Sequence, residues 1–297
     1  MDLTLGPIAF FWDAPRIRDF YARIADEAPV ARVVLGEFVC SKRLPFWQDE
    51  IPRAVERLQA AGKEVWLTSL ALVTLKRERQ MTDDLGLAGL GVEVADLTAL
   101  AHLPAGAGFS ISPLVNVYNE GTLEWLAAKG AKRVCLPPEL PPAAIASLAA
   151  TGARLGVAVE VWGFGRLPLA ISGRCYHARL TDRSKDNCQF VCGVDLDGRT
   201  IDTLDGQQFL AVNGVQTLSA ATAFAGHDLT TLADAGVQSL RLSPQTGDMV
   251  ALAQALTDAL AGADNAAALE AAARAASPDG LLANGYLRGQ AGANWVA

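Results

Sequence analysis

Short apolar runs alternate with helix-like segments along almost the whole chain. The runs lie at 6–12, 31–36, 63–70, 91–95, 108–112, 132–136, 157–162 and 237–243. Each is too short for a buried helix and is bounded by glycine, proline or charged residues, the pattern of a strand covered on both faces. Between them, apolar residues recur at helical spacing over 15–28, 46–61, 72–88, 119–130 and 141–151. A helix or turn fits 96–102, a helix fits 219–235, and another starts near Pro244. Strands that alternate with helices pair in parallel, and eight such units in 297 residues fit a closed (β/α)₈ barrel of the α/β class better than an open doubly wound sheet. The chain reads as one barrel domain over 1–297. An inserted segment, 163–218, separates strands seven and eight and holds a hairpin whose turn is Asp195-Leu-Asp-Gly198.

A barrel gathers the loops that follow its strands at one mouth. Cys40 follows the second strand and the stretch 173–192 follows the seventh, so two segments distant in sequence are expected to meet there. That stretch holds Cys175, Cys188 and Cys192, three of the five cysteines in the chain. A lone cysteine is usually a small buried hydrophobe, but these three sit in a polar, charged segment with no apolar face to bury them. Arg174, Arg179, Arg183 and Lys185 outnumber Asp182 and Asp186 there, although the whole chain carries net −7. Local positive charge favours thiolate over thiol and offsets the charge of a thiolate-ligated cluster. The stretch therefore reads as a strap of ligands for an iron–sulfur cluster.

Three thiolates leave a cluster one ligand short. Cys40 leaves an apolar run and is followed at once by Lys42 and Arg43 after one serine, a basic setting like that of the strap; Cys135 lies inside an apolar run and reads as core. The expected ligands are Cys40, Cys175, Cys188 and Cys192. Zinc sites of four cysteines usually pair them in two short knuckles, and only Cys188 and Cys192 are so paired.

Half the residues are apolar, enough for a large core. The acidic balance argues against a nucleic-acid surface. No run approaches the ~18 apolar residues of a membrane span. The alanine-rich tail from 251 to 276 is broken by Asp258, Asp264, Asn265 and Glu270 and reads as a helix or helix pair. With no apolar leader in view, a cytoplasmic location with reduced thiols is expected.

Other motifs carry less. Gly86-Leu-Ala-Gly-Leu-Gly91 has the glycines of a nucleotide loop in the wrong order and follows a helical pattern. His102, His177 and His227 are scattered and read as surface or packing residues, with only His177 near the ligands. No Ser/His/Asp set and no G-x-S-x-G motif can be assembled. The stretches 110–119 and 160–168 mix aromatic, amide and charged groups after strands and could line a pocket at the mouth. Equally, Asn116 and Asn119 could cap a helix while Gly163 and Gly165 turn the chain.

The motifs Leu35-Gly-Glu-Phe-Val-Cys-Ser-Lys-Arg43, Gly165-Arg-Leu-Pro-Leu-Ala170, Arg174-Cys-Tyr-His-Ala-Arg179, Asp182-Arg-Ser-Lys-Asp-Asn-Cys188, Asn213-Gly-Val-Gln-Thr217 and Leu240-Arg-Leu-Ser-Pro-Gln245 together resemble the collagenase-like peptidase family, and within it a non-peptidase member. The resemblance implies a [4Fe–4S] cluster on Cys40, Cys175, Cys188 and Cys192, with Cys135 outside the set. It also implies a heterodimer with a homologous, UbiU-like cluster protein. Such pairs support oxygen-independent hydroxylation of an aromatic isoprenoid-quinone precursor in ubiquinone biosynthesis. Relatives that hydroxylate RNA bases take the hydroxyl from prephenate, which makes prephenate a donor by analogy. A cluster bound through four cysteines has no open iron and suits electron transfer or support of a partner's active site. The alternatives are a scaffold subunit with a structural cluster, an RNA-base hydroxylase of the same family, and a zinc-stabilised binding module.

Overall fold

The computed structural model describes all residues except 264 and 297. Parallel strands β1 (Asp2–Leu5), β2 (Arg32–Leu35), β3 (Glu64–Thr68), β4 (Gly91–Val94), β5 (Phe109–Ile111), β6 (Ala131–Cys135) and β7 (Ala158–Ile171) pair in chain order. Three antiparallel strands follow in sequence, β8 (Arg199–Asp202), β9 (Gln208–Asn213) and β10 (Gln216–Phe224), before the chain returns as β11 (Ser239–Leu242). Strand β11 pairs with β1 on one side, Leu3 opposite Leu240, and with β7 on the other, Leu240 opposite Val161. These pairings close an eight-stranded (β/α)₈ barrel, as the alternating pattern predicts.

The outer helices are α1 (Ala14–Glu27), α2 (Glu50–Ala60), α3 (Lys76–Leu87), α4 (Glu120–Ala128), α5 (Pro142–Leu155), the single turn α6 (Tyr176–Arg179), α7 (Leu229–Asp234), α8 (Met249–Leu260) and α9 (Ala266–Ala276). Local chemistry sets their ends. Asp13 caps α1 by accepting from the Arg16 amide at 2.9 Å, and Ile17, Tyr21, Ile24 and Ala25 then fall on one buried face. Asn119 caps α4 through the Thr122 amide, also at 2.9 Å. The tail is indeed a helix pair, α8 and α9; Asp264, one of the predicted breaks, lies outside the described residues. The segment near 96–102 is a 3₁₀ helix, Leu97–Ala101, capped by Asp96.

Three expectations need correction. The first strand is Asp2–Leu5 rather than 6–12. Residues 6–12 are apolar because they cover the barrel: Ile8, Ala9, Phe10 and Trp12 are buried, and the Trp12 indole N–H donates to the Leu196 carbonyl at 2.7 Å. A continuous apolar run marks burial, which a loop can share with a strand. The predicted helix at 219–235 is mostly β10, whose residues are buried alternately from Gln216 to Phe224, and only Leu229–Asp234 is α-helical. Finally, Asp195–Gly198 does turn the chain, with Gly198 N–H donating to Asp195 C=O at 3.0 Å, but it leads into β8; the β8–β9 hairpin turns at 203–207. The predicted insertion limits at 163 and 218 fall inside β7 and β10, which run out of the barrel together as an antiparallel pair.

One layer of the barrel interior is ionic. Arg241 on β11 donates from Nε to Glu160 Oε1 at 2.5 Å and from Nη1 to Glu93 Oε1 at 3.2 Å, with Nη2 on Glu93 Oε2. All three side chains are at most 2% exposed. Ser239 Oγ donates to the remaining Glu160 oxygen at 3.0 Å. One cation thus faces two carboxylates, joining strands β4, β7 and β11.

Candidate metal centre

The loop after β2 carries Cys40. Its shape is set by Glu37, which is buried and accepts from the amides of Val39 at 2.8 Å and Cys40 at 3.0 Å. In the strap, Cys175 precedes α6, and its Sγ accepts from the Ala178 amide at 3.4 Å. Cys188 and Cys192 flank a tight reversal in which Gln189 and Phe190 both take left-handed backbone, φ 45° and 54°, a conformation that non-glycine residues adopt at a cost. Phe190 is held there by Phe46 and Phe11, with ring centroids 4.4 and 5.8 Å away. Asn213 on β9 ties the strap down, donating from Nδ2 to the carbonyls of Cys192 at 3.0 Å and Asp195 at 2.8 Å.

These loops meet. Val39, Cys175, Ala178 and Val215 form a small apolar cluster apart from the main core, with Cys40 and Cys188 packed against it. Cys192 is buried beside them, and negative charge on Cys175 or Cys188 would push its thiol further up. The predicted meeting of Cys40 with the strap is therefore present. Cys135 stays away: it is buried in the barrel wall on β6, where burial and the carboxylates of Glu160 and Glu93 push its thiol well up against the pull of Arg241. Among the described residues, no three His, Cys, Asp or Glu side chains are gathered closely enough to hold a single metal ion.

Arg43 organises the electrostatics. It is 1% exposed, and donates from Nη1 to Ala9 C=O at 3.2 Å and from Nη2 to Asn213 Oδ1 at 2.6 Å. Its Nε is buried with no nitrogen or oxygen partner among the described residues. Burial pushes the thiols of Cys40, Cys175 and Cys192 above the ordinary range, and the Arg43 charge pulls each back down. Burial likewise raises the Glu37 carboxyl, opposed by the same cation. Taking up a metal would require the thiols to lose their protons, and Arg43 is the fixed charge that favours this. Gly214 makes room for it: φ is +69°, and a Cβ there would lie 2.2 Å from Arg43 Nη2. Gly214→Ala is expected to displace the guanidinium and lower thermal stability by about 1–3 kcal/mol, from left-handed strain and the clash. A thermal melt of the purified variant checks this.

His177 is buried under the strap, with Nε2 2.9 Å from Asp195 Oδ2. Burial holds its pKa below the ordinary histidine value despite that carboxylate. It acts as a packing group beside the cysteines. Outside, a cleft of about 410 Å³ lies over Cys175, lined by Lys42, Arg77, Arg174, Arg179 and Lys185 with Glu78 and Asp186 opposing them. The basic character read from the strap thus extends to α3. The roles of Glu37, Asn213 and Arg43 had no signal of their own in the sequence, because each depends on closeness across the fold.

The stretches 110–119 and 160–168 do supply a pocket. Ser112, Pro113, Leu114, Trp162, Arg166 and Pro168 help line a narrow cavity of about 30 Å³ at the barrel mouth. Asn119 instead caps its helix, the other role considered for it.

A sequence profile of peptidase family U32 matches residues 12–297. The chain belongs to this family. The match bears out the family-level resemblance over nearly the full length of this U32 member. Among solved structures, the chain is similar to a dihydrodipicolinate synthase from Agrobacterium tumefaciens at 13% identity and TM-score 0.35, covering 91% of this chain and 78% of that one. An enolase from Agrobacterium radiobacter matches at 14% identity and TM-score 0.36, over 54% of this chain; the U32 member spans 44% of that enolase.

Proposed function

We propose that this U32 member is a UbiV-like iron–sulfur protein that works with a homologous, UbiU-like partner in oxygen-independent hydroxylation of a ubiquinone precursor. The observation that carries the reading is the convergence of Cys40 with the strap cysteines Cys175, Cys188 and Cys192, with the buried Arg43 acting on Cys40, Cys175 and Cys192. The donor set fits such a group: four soft ligands, a buried cation, and a guanidinium Nε left without an oxygen or nitrogen partner, as a sulfur-rich neighbour would allow. The spacing of the cysteines, with only Cys188 and Cys192 paired in a short knuckle, is what speaks against zinc. When bound, a [4Fe–4S] cluster would supply one-electron transfer or rigidity. The chain's own part is to hold the thiolates and to balance their charge with Arg43 and Lys185. Prephenate remains the hydroxyl donor suggested by analogy.

Peptidase chemistry has little support. His102, His177 and His227 face the carboxylates of Asp83, Asp195 and Glu270 rather than a nucleophile. The second reading, an RNA-base hydroxylase of the same family, is favoured by the cations over Cys175 and opposed by the net charge of −7. Anaerobic co-expression with a UbiU-like homologue tests both. A one-to-one heterodimer free of RNA is expected; a monomer that carries RNA into purification would replace the first reading by the second.

A further inference from the structure

Positive charge on this acidic chain is gathered over Cys175. The cleft there, of about 410 Å³, is walled by Lys42 from the loop after β2, Arg77 from the first turn of α3, and Arg174, Arg179 and Lys185 from the strap. Little opposes these cations. Glu78 is buried, and its carboxylate already accepts from Ser41 Oγ at 2.7 Å and from the amides of Thr74 at 2.8 Å and Leu75 at 2.9 Å. Asp186 is fully exposed and stands 3.8 Å from Lys42. Of the five cations, Lys42 alone has a carboxylate within ion-pair distance among the described residues, and Arg77, Arg174 and Arg179 are exposed.

Apolar surface accompanies the charge. Leu75 in the cleft wall is exposed, as are Tyr176 and Leu180 at the two ends of the turn that carries Arg179. Exposed arginine beside exposed tyrosine is the composition enriched in protein contacts. A long polyanion is less well served, because away from the cleft the chain is more acidic still than its net −7, and nucleic acid leaving the cleft would meet repulsion. The position of the cleft then says what kind of protein fits. Cys175 lines it, and Lys185 in the same wall is close enough to Cys40 to draw that thiol down. A protein seated on the cations is thus set against the proposed cluster ligands.

We infer that this cleft is the docking surface for a small acidic protein that carries single electrons, the reductant for the proposed cluster. In the encounter one electron leaves the reduced carrier and is taken up at the cysteine site, with no bond formed or broken. Contacts of this kind are small, brief and steered by charge, which exposed arginines around an open cleft provide. The identity of the partner rests on the proposed function, whereas the surface rests on the charges.

The test is isothermal titration calorimetry on the anaerobically purified full chain, with a plant-type ferredoxin as the acidic carrier and a basic c-type cytochrome and an RNA stem-loop as comparisons. Ferredoxin is expected to bind and to lose about tenfold in affinity as salt rises from about 0.02 M to about 0.2 M, and the cytochrome is expected not to bind. Arg77→Glu is expected to weaken ferredoxin binding about fivefold. Its melting temperature and iron content should not change, because an acidic residue suits the first turn of α3 and Arg77 belongs to neither cysteine loop. Arg16→Glu makes the same change of charge in a separate cleft beside α1, and is expected to shift affinity by less than about twofold. Equal losses in the two variants, no dependence on salt, or an RNA stem-loop bound more tightly than ferredoxin would overturn the assignment, the last in favour of RNA. Ferredoxin that binds the lone chain but not the chain co-purified with a UbiU-like homologue would give the cleft to the homologue instead. Iron counted in each sample separates the two claims: ferredoxin bound by a chain without iron leaves the surface and removes the cluster reading, and an iron-loaded chain that ignores ferredoxin removes only the docking surface.

Discussion

Arg241→Leu is expected to destabilise the protein by about 3–5 kcal/mol, because it strands Glu93 and Glu160 as buried carboxylates without their cation. The effect should depend on pH in a definite direction. In the wild type, burial pushes the Glu160 carboxyl up, but Arg241, the Thr4 hydroxyl and Arg133 outweigh it and hold the group below its ordinary range. A depressed folded-state pKa contributes stability above the unfolded value near 4.3 and loses it as pH falls through the folded value. Without Arg241, burial dominates and the sign reverses, so the variant gains relative stability when Glu160 can take a proton. The gap between variant and wild type should be widest at neutral pH and narrow as pH drops below about 5. Urea denaturation at pH 7 and pH 4.5 checks it, and a gap that stays constant would contradict the role given to Arg241. Glu93→Gln in the same background should recover part of the loss.

Arg43→Met should reach the proposed cluster site as well as the fold. The substitution removes the buried cation that faces Cys40, Cys192 and Glu37, and takes the donors from Ala9 C=O and Asn213 Oδ1. A loss of about 3–5 kcal/mol is expected from the stranded partners. The thiols would also lose the charge that draws them toward thiolate, so iron retained after anaerobic purification should fall several-fold. Lys42→Met is the control. Its ammonium bonds the Lys185 carbonyl at 2.7 Å and lies 3.8 Å from the exposed Asp186, so stability should shift by no more than about 1 kcal/mol. Iron retained in full by Arg43→Met would show that the cation is structural alone.

The sequence read most clearly where one physical cause acted. Val33–Leu35 is apolar because both faces of a barrel strand are covered, and Val92 and Val94 are buried in the same way on either side of Glu93, the carboxylate that faces Arg241. Gly6–Trp12 is apolar for a different reason, packing over the barrel with Trp12 against Leu196, so its pattern imitates a strand while the true strand is the shorter Asp2–Leu5. In β10, alanine and threonine alternate too weakly in polarity to separate strand from helix. The cysteines stand out because their sequence neighbours are polar, which predicts no apolar face to bury them; the fold buries Cys175 and Cys192 all the same, Cys175 against Val39 and Val215 brought from elsewhere in the chain, and the barrel's geometry brings Cys40 to them. Arg43 looked like one more loop cation; its burial follows from Gly214, Asn213 and Ala9 converging on it, three residues that sequence spacing does not connect.

The most direct test is an anaerobic purification of the wild type, Cys40→Ala and Cys135→Ala, with iron and acid-labile sulfide counted beside the visible spectrum. The cluster reading predicts about four irons and about four sulfides per wild-type chain with a broad, air-sensitive absorption near 400 nm. It predicts that Cys135→Ala keeps this cluster and that Cys40→Ala loses it. A colourless wild type carrying zinc, or a full iron complement in Cys40→Ala, would contradict the four-cysteine cluster and the redox role built on it.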